Sequence, residues 1–280
     1  MITRPLPNLD AWTAALAQAA IPVLPGSVAE LAQLRVIEDT HGTMDAHTIA
    51  DNLGGDPLMT LRVLVSAAEL CHRRGVESPE TFVGACLMLG IGPFFQRFEQ
   101  VDSLSDWLHP HPEAISGLLK VITRARRASG LAASFALRRQ DEDVAVIAEA
   151  ALLHDFAEML LWCHAPELAL QLAQRLAADH TLRSADVQQE LLGVNLSDLT
   201  QSLMAAWHLP LMLRECTNDR DVNDPKVRSV TLAVQIARHT QHGWDDPHAK
   251  AALPDDVAEV AQLLTLSWDS AHRLLLSMDS

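Results

Sequence analysis

Ala151-Leu152-Leu153-His154-Asp155-Phe156-Ala157-Glu158 is the most informative stretch of the chain. It lies within a longer apolar run from Val144 to Cys163, whose length and alanine–leucine content predict one helix rather than a strand. A His-Asp pair in such a run is a candidate site. Its flanks are bare of comparable groups. No histidine occurs between His111 and His154, and no carboxylate between Ser229 and Arg238. The pair therefore stands without the partners that a metal shell would need.

The rest of the chain sets the frame. Its 280 residues suffice for one large domain or two lobes. Hydrophobic residues make up 49% and charged residues 20%, enough for a sizeable core. Alanine and leucine dominate, tyrosine is absent and β-branched runs are short, which favours helix over sheet. Lys plus Arg number 21 against 36 Asp plus Glu, a net charge of −15 that argues against a broad DNA or membrane-surface face. A local basic patch can still hold a phosphate. Cys71, Cys86, Cys163 and Cys216 form no C-x-x-C pair and match no zinc spacing, so reduced thiols in a cytoplasmic protein are the simplest account. Pro5, Pro7 and Asp10 break any leader pattern, and no run of 18 uncharged apolar residues occurs.

Helix signals follow one another. Ser27-Val28-Ala29-Glu30 reads as a capping box, with Leu31 and Leu34 continuing its stripe. Thr43 opens a second helix, which Gly54-Gly55 closes. Asp56-Pro57 opens a third, with Asp as cap and Pro where no backbone donor is needed. Ser78-Pro79 opens a fourth, ending near Gly90. A polar, proline-broken stretch from Asp106 to Pro112 is the best lobe boundary. Further helices are predicted over Ile115 to Leu137, Val144 to Cys163, Pro166 to Ala178, Ser184 to Leu192, Ser197 to Trp207 and Pro225 to Gln241. Gly243 to Pro254 reads as a loop, and a last helix runs from Asp255 to Met278.

Five motifs, in order, resemble the HDOD family, a signalling relative of the HD phosphohydrolases. They are Leu24-Pro25; Asp56-Pro57 with Leu61, Val63 and Leu64; Ala85-Cys86-Leu87-Met88-Leu89-Gly90; Ala151-Leu152-Leu153-His154-Asp155; and Leu191-Leu192-Gly193-Val194-Asn195 followed by Trp207-His208-Leu209-Pro210. The resemblance covers roughly residues 20 to 240. It implies an all-α, two-lobed fold: an N-terminal extension over 1–20, an N-terminal helical lobe over 21–108 and an HD-like helical bundle over 109–280. It also implies a bacterial signal-transduction or regulatory module. The chain departs from the pattern in places. Ala68-Glu69 stand where the family often has Asn-Ser, Leu196 where a histidine is frequent, and Ala157-Glu158 where active phosphohydrolases end in Gly-Lys.

An HD phosphohydrolase takes a histidine from one helix, the His-Asp pair from a second and an aspartate from a third. Adjacent helical residues point about 100° apart, so the pair alone cannot close a shell around a metal. By the resemblance, Arg124 to Arg127 stand where the first histidine belongs, and Val234 or Gln235 where the last aspartate belongs. Three readings of the pair remain open. His154 is a satisfied core histidine and Asp155 a hydrogen-bonding carboxylate; or the two keep a ligand or partner site; or a working metal site recruits Glu158, four residues on from His154, or His164.

From Lys120 to Arg139 there are six basic residues and no acidic one, and Lys120, Arg124 and Arg127 share a helical face. That stripe is either a solvated surface or an arginine-based phosphate site. Trp207 is a packing residue or a ligand platform. No nucleophile elbow, P-loop or dinucleotide fingerprint occurs. The expectation is a non-catalytic regulatory module without a cofactor, binding a signalling protein and secondarily a nucleotide or phosphate. Candidate binding residues are His154, Asp155, Lys120, Arg124, Arg127 and Trp207. The alternative is a metal-dependent phosphohydrolase with relocated ligands built on His154, Asp155 and Glu158. The sequence leaves the oligomeric state open.

Overall fold

A computed structural model of the chain describes residues 1–179, 181–220 and 223–278. Among these residues the fold is all-α: seventeen helices, no strand and one isolated parallel bridge between Val23 and Ser103. No described helix is long and apolar enough to cross a membrane. The chain divides into two units, Met1–Ile122 with Asp155–Pro210 and Thr123–His154 with Leu211–Ser280. Each is built from two separated segments, and one division falls inside a helix.

The first unit holds α1 (Leu9–Ala17), α2 (Pro25–His41), α3 (Ala46–Leu53), α4 (Pro57–Arg74), α5 (Phe82–Leu89), α6 (Ile91–Arg97) and α7 (Leu104–Trp107). Helix α8 (Pro112–Arg139) runs from the first unit into the second. After α9 (Val144–Leu153), α10 (Phe156–His164), α11 (Pro166–Ala178), α12 (Ser184–Leu192) and α13 (Leu196–Ala206) return to the first unit. The second unit is completed by α14 (Leu211–Cys216), α15 (Pro225–His239), α16 (Pro247–Leu264) and α17 (Trp268–Ser277).

In the first unit, α4 packs on α5 and α10, α10 on α11 and α13, and α1 on α13. Trp12 of α1 is fully buried, and its indole N–H donates to the Leu192 carbonyl at 3.1 Å. Asp56 is the hinge pin of the N-terminal helices. One carboxylate oxygen caps α4 at the Leu58 and Met59 amides (2.9 and 3.3 Å); the other accepts from the Leu24 amide and the Ser27 hydroxyl (2.8 and 2.7 Å). Ser27 therefore does not cap its own helix. Pro25 starts α2 two residues earlier, which puts Ser27 inside the first turn, where its hydroxyl turns to Asp56.

In the second unit, α9 packs against α14 and α15, α16 against α15, and α17 against α16. The segment from Gly243 to Pro254 is a loop only as far as Asp246. Asp246 accepts from the His248 amide at 2.9 Å and starts α16 at Pro247, and Pro254 lies within that helix. Helix α16 ends at Leu264, and Thr265 caps it in the left-handed region (φ 54°) while the Leu266 amide closes back on the Ala261 carbonyl at 2.9 Å. The long terminal helix read from the sequence is thus two helices.

Candidate functional site

The Val144–Cys163 run is also two helices. Helix α9 ends at Leu153 and α10 begins at Phe156, leaving His154-Asp155 as the turn between them. Asp155 has φ −98° and ψ 21°, away from helical values, and its carbonyl takes the Glu158 and Met159 amides at 3.0 and 3.2 Å as the helix restarts. No Gly or Pro marks the break, and apolar residues continue through it because both helices are buried. The units divide here too: His154 belongs to the second and Asp155 to the first.

His154 is 8% exposed. Its Nε2 lies 2.9 Å from Asp219 Oδ1, and because a carboxylate only accepts, the ring donates. Asp219 sits in the turn after α14, and the same oxygen accepts from the Thr231 hydroxyl at 3.2 Å. Burial pushes the Asp219 carboxyl up. The His154 hydrogen bond and charge, the Thr231 hydroxyl and the nearby Arg238 outweigh it and hold the group below the usual carboxylate range.

Helix α15 supplies the opposite wall. Thr231, Gln235 and Arg238 follow i, i+4, i+7 spacing and share one face. His239 extends that face at the helix end. Its Nδ1–H donates to Asp256 Oδ2 at 2.8 Å, and the Gln235 amide donates to Asp256 Oδ1 at 3.0 Å. Asp256, on α16, has no exposed surface. The hydrogen bond to Asp256 raises the His239 imidazole above its ordinary value, against the opposing effect of burial. His154, Asp219, Thr231, Gln235, Arg238 and His239, with Val234 as the apolar wall, enclose a cleft of about 270 Å³.

This donor set does not fit the metal centre of an HD phosphohydrolase. The lining of the cleft presents one carboxylate, Asp219, and the guanidinium of Arg238 in the wall repels a cation. Among the described residues no three His, Cys, Asp or Glu side chains converge to hold an ion.

Of the sequence candidates, His154 alone lines the cleft. Asp155 and Glu158 lie in the first unit, both partly exposed. The basic stripe is divided: Lys120 is in the first unit, Arg124 and Arg127 in the second. Arg127 donates to the Thr240 carbonyl at the end of α15 (3.1 Å) and stacks over Trp244 with 5.5 Å to the ring centroid. Trp207 is buried, with its indole N–H donating to the Ala17 carbonyl at 3.1 Å and its ring 5.7 Å from that of Phe156. Asp219, Thr231, Arg238, His239 and Asp256 were not legible as site residues. Asp219 is one turn carboxylate among many. The i, i+4, i+7 spacing of Thr231, Gln235 and Arg238 is the one signal that could have flagged their shared face.

The HDOD domain family model matches residues 21–221, and the chain belongs to the HDOD family. No curated protein matches it. Solved structures with the same fold include these two. One is the MmoQ response regulator from Methylococcus capsulatus strain Bath, with TM-score 0.68 and 17% identity, covering 92% of this chain and 99% of that one. The other is a virulence factor from Campylobacter jejuni subsp. jejuni, with TM-score 0.67 and 19% identity, covering 95% of each chain.

Proposed function

We propose that the chain is a non-catalytic signal-transduction module that acts by binding a protein partner in the bacterial cytoplasm. Membership of the HDOD family, a degenerate relative of the HD phosphohydrolases, supports a regulatory role. A fold neighbour named as a response regulator is in keeping with it. The observation that carries the reading is the pairing of His154 with Asp219. The one histidine of the HD dipeptide is committed to a loop carboxylate, while its sequence neighbour Asp155 belongs to the other unit. Among the described residues no third ligand joins this imidazole–carboxylate pair, and two ligands hold a divalent ion weakly and give bound water no strong activation.

Metal analysis of the purified protein tests this directly. The expected result is no stoichiometric iron, manganese or zinc, and no change in metal content on His154→Ala. One equivalent of metal that disappears in the variant would overturn the reading in favour of a phosphohydrolase with relocated ligands. Affinity capture with the tagged chain, comparing wild type with surface variants, then identifies the partner.

A further inference from the structure

We propose that the cleft of the second unit receives a phosphate group, and that the Asp219 carboxylate is the intramolecular competitor for that group's place. The inference deepens the regulatory reading and rests on it, since the phosphate would be bound and released unchanged.

The cleft is walled mostly by groups that donate hydrogen bonds or carry positive charge. The His154 ring and the Thr231 hydroxyl both point a donor at Asp219 Oδ1, at 2.9 and 3.2 Å, and the charge of Arg238 acts on the same carboxylate. A phosphate oxygen and a carboxylate oxygen are recognised alike: each is an anionic acceptor for N–H and O–H donors, and guanidinium suits both. The arrangement that holds Asp219 would therefore hold a phosphate oxygen.

The two carboxylates of the site differ in freedom. Asp256 has no exposed surface and is fixed from behind by His239 and Gln235. Its bond occupies Nδ1 of His239, so Nε2 donates to an anion when the ring is protonated, the form that the Asp256 carboxylate favours. Asp219 has a 42% exposed side chain and sits in a turn, so it can swing away without disturbing a helix. When it leaves, the His154 and Thr231 donors that it held face an anion instead, beside the charge of Arg238.

Size and polarity narrow the ligand. A volume of about 270 Å³ lies just under the roughly 300–1,000 Å³ usual for small-molecule sites, so it admits a phosphate group and leaves most of a nucleotide outside. The lining offers Val234 as its apolar side chain, too little for a hydrophobic ligand. The chemistry is shared by inorganic phosphate and by a phosphate monoester.

Calorimetric titration of the full chain with inorganic phosphate, with phosphoserine and with serine tests the proposal. The wild type should bind both phosphate probes weakly and serine not at all. Asp219→Asn, which keeps shape and removes the competing charge, should bind about tenfold more tightly, and Arg238→Gln about tenfold more weakly, as expected for one charge-assisted hydrogen bond. Lys250→Gln, on an exposed ion pair away from the cleft, should match the wild type. Binding of inorganic phosphate alone would assign the free ion as ligand, and binding of phosphoserine alone a monoester. No saturable binding in the wild type or in Asp219→Asn overturns the proposal, and so does binding that Arg238→Gln leaves unchanged. Thermal melting of each variant confirms that the fold is retained, and the wild-type titration stands if one variant does not fold. Release of phosphate from phosphoserine during the titration would overturn the non-catalytic reading while leaving the site in place.

Discussion

The hydrogen of Gly117 is all the room that Trp162 leaves on α8. A Cβ built at that position would stand 2.4 Å from the indole ring, which is 4% exposed. Gly117→Ala should therefore destabilise by about 1–3 kcal/mol, the usual cost of overpacking, read as a lower urea midpoint. Adding Trp162→Leu should restore much of the loss, whereas a purely helical effect of Ala for Gly would stabilise both backgrounds. His164 makes a second prediction. Burial pushes its imidazole below the ordinary value of 6.5, although the bond to the Ala20 carbonyl at 2.9 Å opposes this. The unfolded chain then binds the proton first, so stability is full above pH 6.5 and declines as the pH falls from there toward the lowered folded value. His239 has the opposite sign: raised by Asp256, its contribution is full below 6.5 and is lost as the pH rises through the folded value. Urea midpoints across this range should show a shallower acid limb in His164→Asn and a shallower alkaline limb in His239→Gln. Of these residues, His154 could be found in the sequence because it stands in an apolar run. Gly117 and Asp219 could not, since their partners lie 45 and 65 positions away.

The starts at Asp56-Pro57 and Pro225 are legible in the sequence, Asp246-Pro247 is missed inside a segment read as a loop, and several starts read from a hydroxyl are displaced. Asp-Pro opens α4, α15 and α16, in each case with the Asp side chain accepting from the first turn. Proline fixes φ and lacks a donor, so it suits a first turn, but context decides whether the signal is read: the polar flanks and Pro254 hide the start at Asp246-Pro247. The Ser27, Thr43 and Ser78 starts are displaced instead: α2 begins at Pro25, Asp45 caps α3 and Thr81 caps α5. Several nearby side chains could cap, and packing selects among them. The same comparison predicts unequal costs. Asp246→Ala removes an ordinary exposed cap and should cost about 1 kcal/mol. Asp56→Ala also strips a buried acceptor from the Leu24 amide and the Ser27 hydroxyl, and should cost roughly 2–4 kcal/mol by chemical denaturation. The break at His154-Asp155 was invisible for a different reason: both flanking helices are buried, so apolar residues run up to the turn on each side and no glycine or proline marks it.

The all-α class and the family were legible because composition and the order of five motifs survive any local shift of a helix end. The compact units of the structure carry no such mark in the sequence. The two units interleave in sequence, and a boundary inside α8 leaves no proline or polar run behind it. A test follows from the match that ends at residue 221. A fragment of residues 1–221 lacks α15 to α17, which pack the second unit, but keeps Cys216 of α14. All four cysteines are buried, and burial pushes the Cys216 thiol up to about 11. The full chain should react slowly with a thiol reagent under native conditions, and the fragment should gain one fast-reacting thiol. The interleaving also has a temporal side. As the chain leaves the ribosome, α9 emerges before the helices that cover it, and the 56 residues of Asp155–Pro210 must be made first. At roughly 5–20 residues per second that delay is about 3–11 s, during which Val146, Ile147 and Leu152 meet water or a chaperone. Biogenesis of this protein should therefore be sensitive to anything that slows elongation through its third quarter.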